Sequence, residues 1–183
     1  MKTTKQFLLL PLVSCLLPLA GCSEEASTPT ASEPPSSSSA PTVDGAKYLL
    51  TTEPEGAGDV IKVREDAADG EEVVIVGRIG GSSNPWIEGR AAFSIVDGSL
   101  KACSDIEGDS CPMPWDYCCE TSKLPNATAL VKIVDEDGEL VKADARELLP
   151  VKELSTVIVK GKAQRDDAGN LTILATGIFV QKK

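Results

Sequence analysis

The chain has 183 residues, carries 18 Lys and Arg against 28 Asp and Glu for a formal charge of −10, and contains no histidine. The missing imidazole excludes a Ser-His-Asp triad, a Cys-His nucleophile, His-Glu-x-x-His zinc chemistry and histidine-linked haem together. A chain this acidic repels phosphate backbones and anionic lipid surfaces, so composition predicts no nucleic acid among the partners and no polybasic membrane contact.

Lys2 and Lys5 precede an apolar run over residues 7–19, and small residues follow, which is the layout of a secretory signal. The run is shorter than the roughly 20 apolar residues a spanning helix needs, and Pro11 and Pro18 interrupt it. It closes on Leu19-Ala20-Gly21-Cys22. Here the leader resembles a bacterial lipoprotein signal, whose lipobox this tetrapeptide matches. The resemblance implies cleavage before Cys22, loss of residues 1–21 with Cys15, and acylation of Cys22 by chains such as palmitate. The membrane contact is then the N-terminal lipid, each buried methylene contributing about 0.8 kcal/mol. Removing Lys2 and Lys5 takes the formal charge from −10 to −12. Ser23 stands where an inner-membrane retention signal would place Asp, so the resemblance implies the outer membrane of the cell envelope.

Residues 22–44 are rich in Ser, Thr, Pro and Ala, with Pro34-Pro35 followed by serines. Such a stretch buries too little apolar surface to offset its ordering entropy, so it is expected to be a disordered tether. Residues 45–183 make one domain's worth of sequence.

Within that domain, residues 59–69 predict a short helix with Val60, Val63 and Ala67 on one face and Gly70 ending it. Residues 73–79 read as a buried strand, 80–85 as a turn-rich loop, and 91–96 as a second strand. After a long connection come a third strand at 127–135, a short helix within 143–154 interrupted at Pro150, a fourth strand at 156–163, a hairpin turn at 165–170 and a fifth strand at 171–180. This order predicts a mainly β fold, a small five-stranded OB-like Greek-key barrel with one or two short helices. Gly77, Gly161 and Gly177 fall inside strands, where a small barrel must bend or bulge. The alternative is a small open sandwich. In this order, and in Val157-Ile158-Val159-Lys160-Gly161-Lys162, roughly residues 58–181 resemble uncharacterised bacterial OB-fold lipoproteins, which implies an architecture and no activity.

The connection over residues 100–126 holds Cys103, Cys111, Cys118 and Cys119 within 17 residues. Connections this long are stapled, disordered or functional, and export to an oxidising compartment with an even number of cysteines predicts two disulfides among these four. A bond between neighbours Cys118 and Cys119 closes a strained ring, so pairing of Cys103 and Cys111 with Cys118 and Cys119 is expected. The alternative function, a metal-binding or thiol-redox accessory protein, uses the same four cysteines. They would hold zinc or copper(I), although adjacent Cys118 and Cys119 are awkward corners of one tetrahedron and no Cys-x-x-Cys is present. Otherwise no cofactor is expected.

Trp86, Trp115 and Tyr117 lie in loops of the kind that flank the ligand face of an OB barrel, where rings stack on a sugar, a proline or a base. The competing reading has them cover the cysteines and close the barrel. The acidic stretches at 135–138 and 166–167 fit turn geometry better than a calcium loop. No spacing singles out a carboxylate pair for hydrolysis. The sequence therefore predicts a non-enzymatic, lipid-anchored binding or interaction module of the cell envelope, its partner an envelope protein or small ligand.

Overall fold

The computed structural model describes residues 43–182; Cys22, the leader and most of the tether lie outside them. Six strands form one sheet: β1 (Gly58–Asp59), β2 (Glu72–Ile79), β3 (Ala92–Val96), β4 (Thr128–Ile133), β5 (Thr156–Arg165) and β6 (Leu171–Val180). β2 pairs antiparallel with β3, β3 with β4, and β5 with β6, while β4 and β6 run parallel. The antiparallel pairing of β5 back onto β2, from Glu72↔Lys162 to Arg78↔Thr156, closes β2 to β6 into a five-stranded barrel. This is the OB arrangement. β1 is an addition, pairing parallel with β2 at Ile75 and Val76 beside the short β2–β3 contact at Arg78 and Ile79.

Inward and outward positions alternate along the barrel wall. On β4, Ala129, Val131 and Ile133 point inward and Thr128, Leu130 and Lys132 outward; Leu171, Ile173 and Ala175 fill the interior from β6. Helix α1 (Val60–Asp66) buries Val60 and Val63 over the barrel end where β3 finishes. Helix α3 (Ala145–Leu148) covers the opposite end, where β3 begins, with Ala145 and Leu148 buried and the Ala145 amide donating to Arg90 O. A 3-10 turn at Gly45–Tyr48 packs so closely on α3 that a side-chain carbon at Gly45 would sit 1.7 Å from Leu148 O.

Gly161 sits at the register shift between β5 and β6, where a Cβ would lie 2.2 Å from Leu174 O. It is the bulge the closed barrel needs. Gly77 and Gly177 serve close packing instead, against Val60 and Leu50. Helix α2 (Leu124–Ala127), with Pro125 in its first turn, and β1 were not predicted; four and two residues give no periodicity to read.

Candidate functional site

The long connection folds back on itself. Cys103 and Cys118 each open a 3-10 turn, at Cys103–Asp105 and Cys118–Glu120. The two arms lie side by side because the Cys103 amide donates to Asp116 O (2.8 Å) and the Ser104 amide to Pro114 O (2.9 Å). Between them the chain turns through Gly108, whose φ of 78° suits glycine. Tyr117 anchors the connection: it is fully buried among Val96, Leu100, Ala102 and Ala127 in a small core of its own. Gly80 makes room for that ring, since a Cβ there would meet Tyr117 Cε2 at 2.7 Å and Trp115 O at 3.1 Å. Arg78 on β2 ties down the first arm through an ion pair with Asp105.

The four cysteines of the connection stand as free thiols in the structure. Cys103 Sγ lies 3.3 Å from Cys118 Sγ, and Cys118 Sγ lies 4.0 Å from Cys119 Sγ. Cys103, Cys111 and Cys118 place their sulfurs within 4.8 Å of one another, grading from buried to exposed. Burial, with the hydrogen bond to Cys118, pushes the Cys103 thiol up to about 12, while the Cys118 amide hydrogen-bonds its sulfur and opposes that shift.

The rings expected as ligand platforms are placed differently. Trp86 is 4% exposed, packs on Phe93 with ring centroids 5.7 Å apart, and donates from Nε1 to Glu153 Oε1 at 2.7 Å. Arg146 stands over the Trp86 ring at 5.6 Å and pairs with Asp144 at 2.9 Å, holding the Asp144 carboxyl well below the usual carboxylate range. Trp86 and Tyr117 are therefore core side chains with no face left for a ligand, and the stacking role expected of them is corrected. Trp115 is half-buried and donates from Nε1 to Ser83 O at 3.0 Å.

A groove of about 690 Å³ crosses the outer face of β3, β4 and β6, from Ser94 past Leu130, Lys132 and Thr172 to Gln164 and Asn170 in the β5–β6 hairpin. Arg64 of α1 and Arg165 at the end of β5 form one rim. Arg64 donates from Nη1 to Thr128 O at 2.9 Å; Arg165 donates from Nε to Ala67 O at 3.0 Å and from Nη2 to Arg64 O. Burial, and then the neighbouring Arg165 guanidinium, pull Arg64 below its ordinary value. Asp166 stands in the same lining and attracts Arg64, while its carboxylate accepts from Ala168 N, Asn170 N and Asn170 Nδ2 within its own turn. None of these residues stands out in the sequence as a site residue. The outward positions of β4 were their only signal, and Arg64 and Arg165 meet only through the fold.

Neither a family model nor a curated protein matches the chain. Among solved structures, the telomere capping protein Ten1 from Saccharomyces pombe is similar at 14% identity, with a TM-score of 0.29 over 72% of this chain and 77% of that one. The likeness assigns no ligand here. The exclusion of nucleic acid from the partners does not stand and is corrected. Its physical basis was net charge, a whole-chain quantity, whereas Arg64, Lys132 and Arg165 gather around one groove.

Proposed function

We propose that the chain is a non-enzymatic binding module of the bacterial cell envelope, anchored by acylated Cys22, whose groove takes an extended ligand rich in hydrogen-bond acceptors without a cofactor. The observation that carries the reading is the groove across β3, β4 and β6, rimmed by Arg64, Lys132 and Arg165 in a chain of formal charge −10. Its cations and the Thr172 hydroxyl offer donors to carboxylate, phosphate or carbonyl oxygens. These groups hold and orient a ligand; none is a nucleophile paired with a base. The anchor is supported by the lipobox at residues 19–22, and Ser23 favours the outer membrane.

Titrating the full chain with a fluorescent single-stranded oligonucleotide and with an acidic oligosaccharide tests the groove. Saturable binding to one of them, weakened about tenfold by Lys132→Ala, is expected, as a charge-assisted hydrogen bond contributes about 1.5–3 kcal/mol. Binding of neither, or binding indifferent to Lys132→Ala, contradicts the reading. For the anchor, fatty-acid labelling should be lost in Cys22→Ser; unchanged acylation ends the lipoprotein assignment.

A further inference from the structure

We propose that Cys103, Cys111 and Cys118 form a three-thiolate site for copper(I), built on the connection between β3 and β4 and separate from the groove. The spacing of the sulfurs is the first support. A disulfide needs its sulfurs about 2.05 Å apart. Thiolates bound at about 2.3 Å to one metal ion stand about 4.0 Å apart in a trigonal site and about 3.8 Å in a tetrahedral one. The observed contacts, from 3.3 Å for Cys103 and Cys118 up to a limit of 4.8 Å for the set, straddle those edge lengths.

The second support is that the connection holds the sulfurs before any ion arrives. The amides of Cys103 and Ser104 pin the two arms together, and buried Tyr117 fixes the residue next to Cys118. Cys111 is set by its own turn, its amide donating to Asp109 Oδ1 at 2.6 Å. Its thiol reaches Met113 O at 3.5 Å, a contact it gives up on losing its proton. Cys103 is 2% exposed, so a charged sulfur there is costly without a cation beside it.

The donor set selects the ion. The three groups are all sulfur and the chain has no histidine, which suits a soft ion and excludes magnesium and calcium as occupants. Cys119 lies 4.0 Å from Cys118 but outside the mutually close set, and structural zinc calls for four ligands. Three sulfurs meet the coordination that copper(I) accepts. Each thiol releases one proton on binding, so the site fills less readily as pH falls.

The full chain, reduced and handled without oxygen, is titrated with copper(I) against a chromophoric competitor, and separately with zinc. One copper(I) per chain is expected, with a thiolate-to-copper charge-transfer band in the ultraviolet and a higher thermal midpoint. Cys111→Ser and Cys118→Ser, both at positions outside the buried core, should each weaken binding about 100-fold or more, and Cys119→Ser less than about threefold. Circular dichroism establishes that each variant keeps its fold. Loss on Cys119→Ser equal to the others, or zinc held in preference to copper(I), overturns the three-thiolate copper assignment. Non-reducing mass spectrometry of chain taken from the cell envelope supplies the remaining result: two disulfides that persist whether or not copper is supplied also overturn it.

Discussion

The barrel and the connection between β3 and β4 are stabilised by different means. The barrel wall is a closed ladder whose inward positions are aliphatic, from Ile75 on β2 through Val131 on β4 to Ile173 on β6. The connection has short turns, one buried ring, an ion pair and a thiol cluster. A wall built of repeated small contributions tolerates the loss of any one side chain better than a loop hung on a single anchor does. A backbone clash at the bulge is the exception, since no side-chain rotation relieves it.

The largest expected effect is therefore Gly161→Ala. Its Cβ would stand 2.2 Å from Leu174 O, which forces β5 and β6 apart. Urea denaturation should show a loss of about 3 kcal/mol in global stability. A loss below about 0.5 kcal/mol would mean that the bulge moves freely along the hairpin.

Tyr117→Ala should follow, at about 2–3 kcal/mol, somewhat below the usual cost of truncating a buried aromatic because the connection collapses or opens without the barrel. Tyr117→Phe sharpens the point. Among the described residues the hydroxyl has no hydrogen-bond partner, and burial raises its pKa, so removing it should be neutral or slightly stabilising by thermal melting.

Asp97 links the two regions. It is 3% exposed and accepts from Ile61 N at 2.8 Å, Ser99 N at 2.9 Å and Ser99 Oγ at 2.6 Å, so it caps α1 in place of Asp59, whose side chain makes no capping bond. Burial opposes its charge, yet these donors hold its carboxyl below the ordinary value. A depressed carboxylate contributes stability that is present above its unfolded pKa of about 3.9 and is lost as pH falls through the lower folded value. Asp97→Ala should cost about 2 kcal/mol at neutral pH, and the difference from the parent chain should shrink on acidification below about pH 4. An equal difference at pH 7 and at pH 2.5, roughly a unit or more below the unfolded value, would show that packing, not the charge, is responsible.

Among the destabilising changes Gly80→Ala is the mildest, about 1–2 kcal/mol, because the far edge of the Tyr117 ring, 2.7 Å from the new carbon, has some freedom to shift. Its signature is local: Trp115 fluorescence should change as its hydrogen bond to Ser83 O is strained. Unaltered fluorescence would place Gly80 outside the support of the connection.

Legibility in the sequence follows the same division. The strands at 73–79, 91–96, 156–163 and 171–180 were readable within about two residues, because each is a short aliphatic, β-branched run bounded by turn-forming residues. Gly77, Gly161 and Gly177 were marked alike as places where a strand bends or bulges, but only Gly161 is a bulge, because the other two glycines make room for side chains that the sequence does not place beside them. The groove was not, since Arg64 and Arg165 are 101 residues apart and adjoin only when α1 covers the barrel end. Trp86 and Tyr117 misled because a ring in a loop looks exposed until its neighbours are known. In both cases those neighbours, Glu153 with Arg146 and Ala102 with Ala127, come from elsewhere in the chain. The cysteines announced themselves, but their spacing along the chain says nothing about the distances between sulfurs.

Hydrogen exchange of the full chain, compared with a Cys103→Ser, Cys118→Ser double variant, tests most directly whether the connection is ordered independently of the barrel. Protection should fall across residues 100–126 and stay unchanged in β2 to β6. Exchange that rises equally in the strands would contradict the account and make the two regions one cooperative unit.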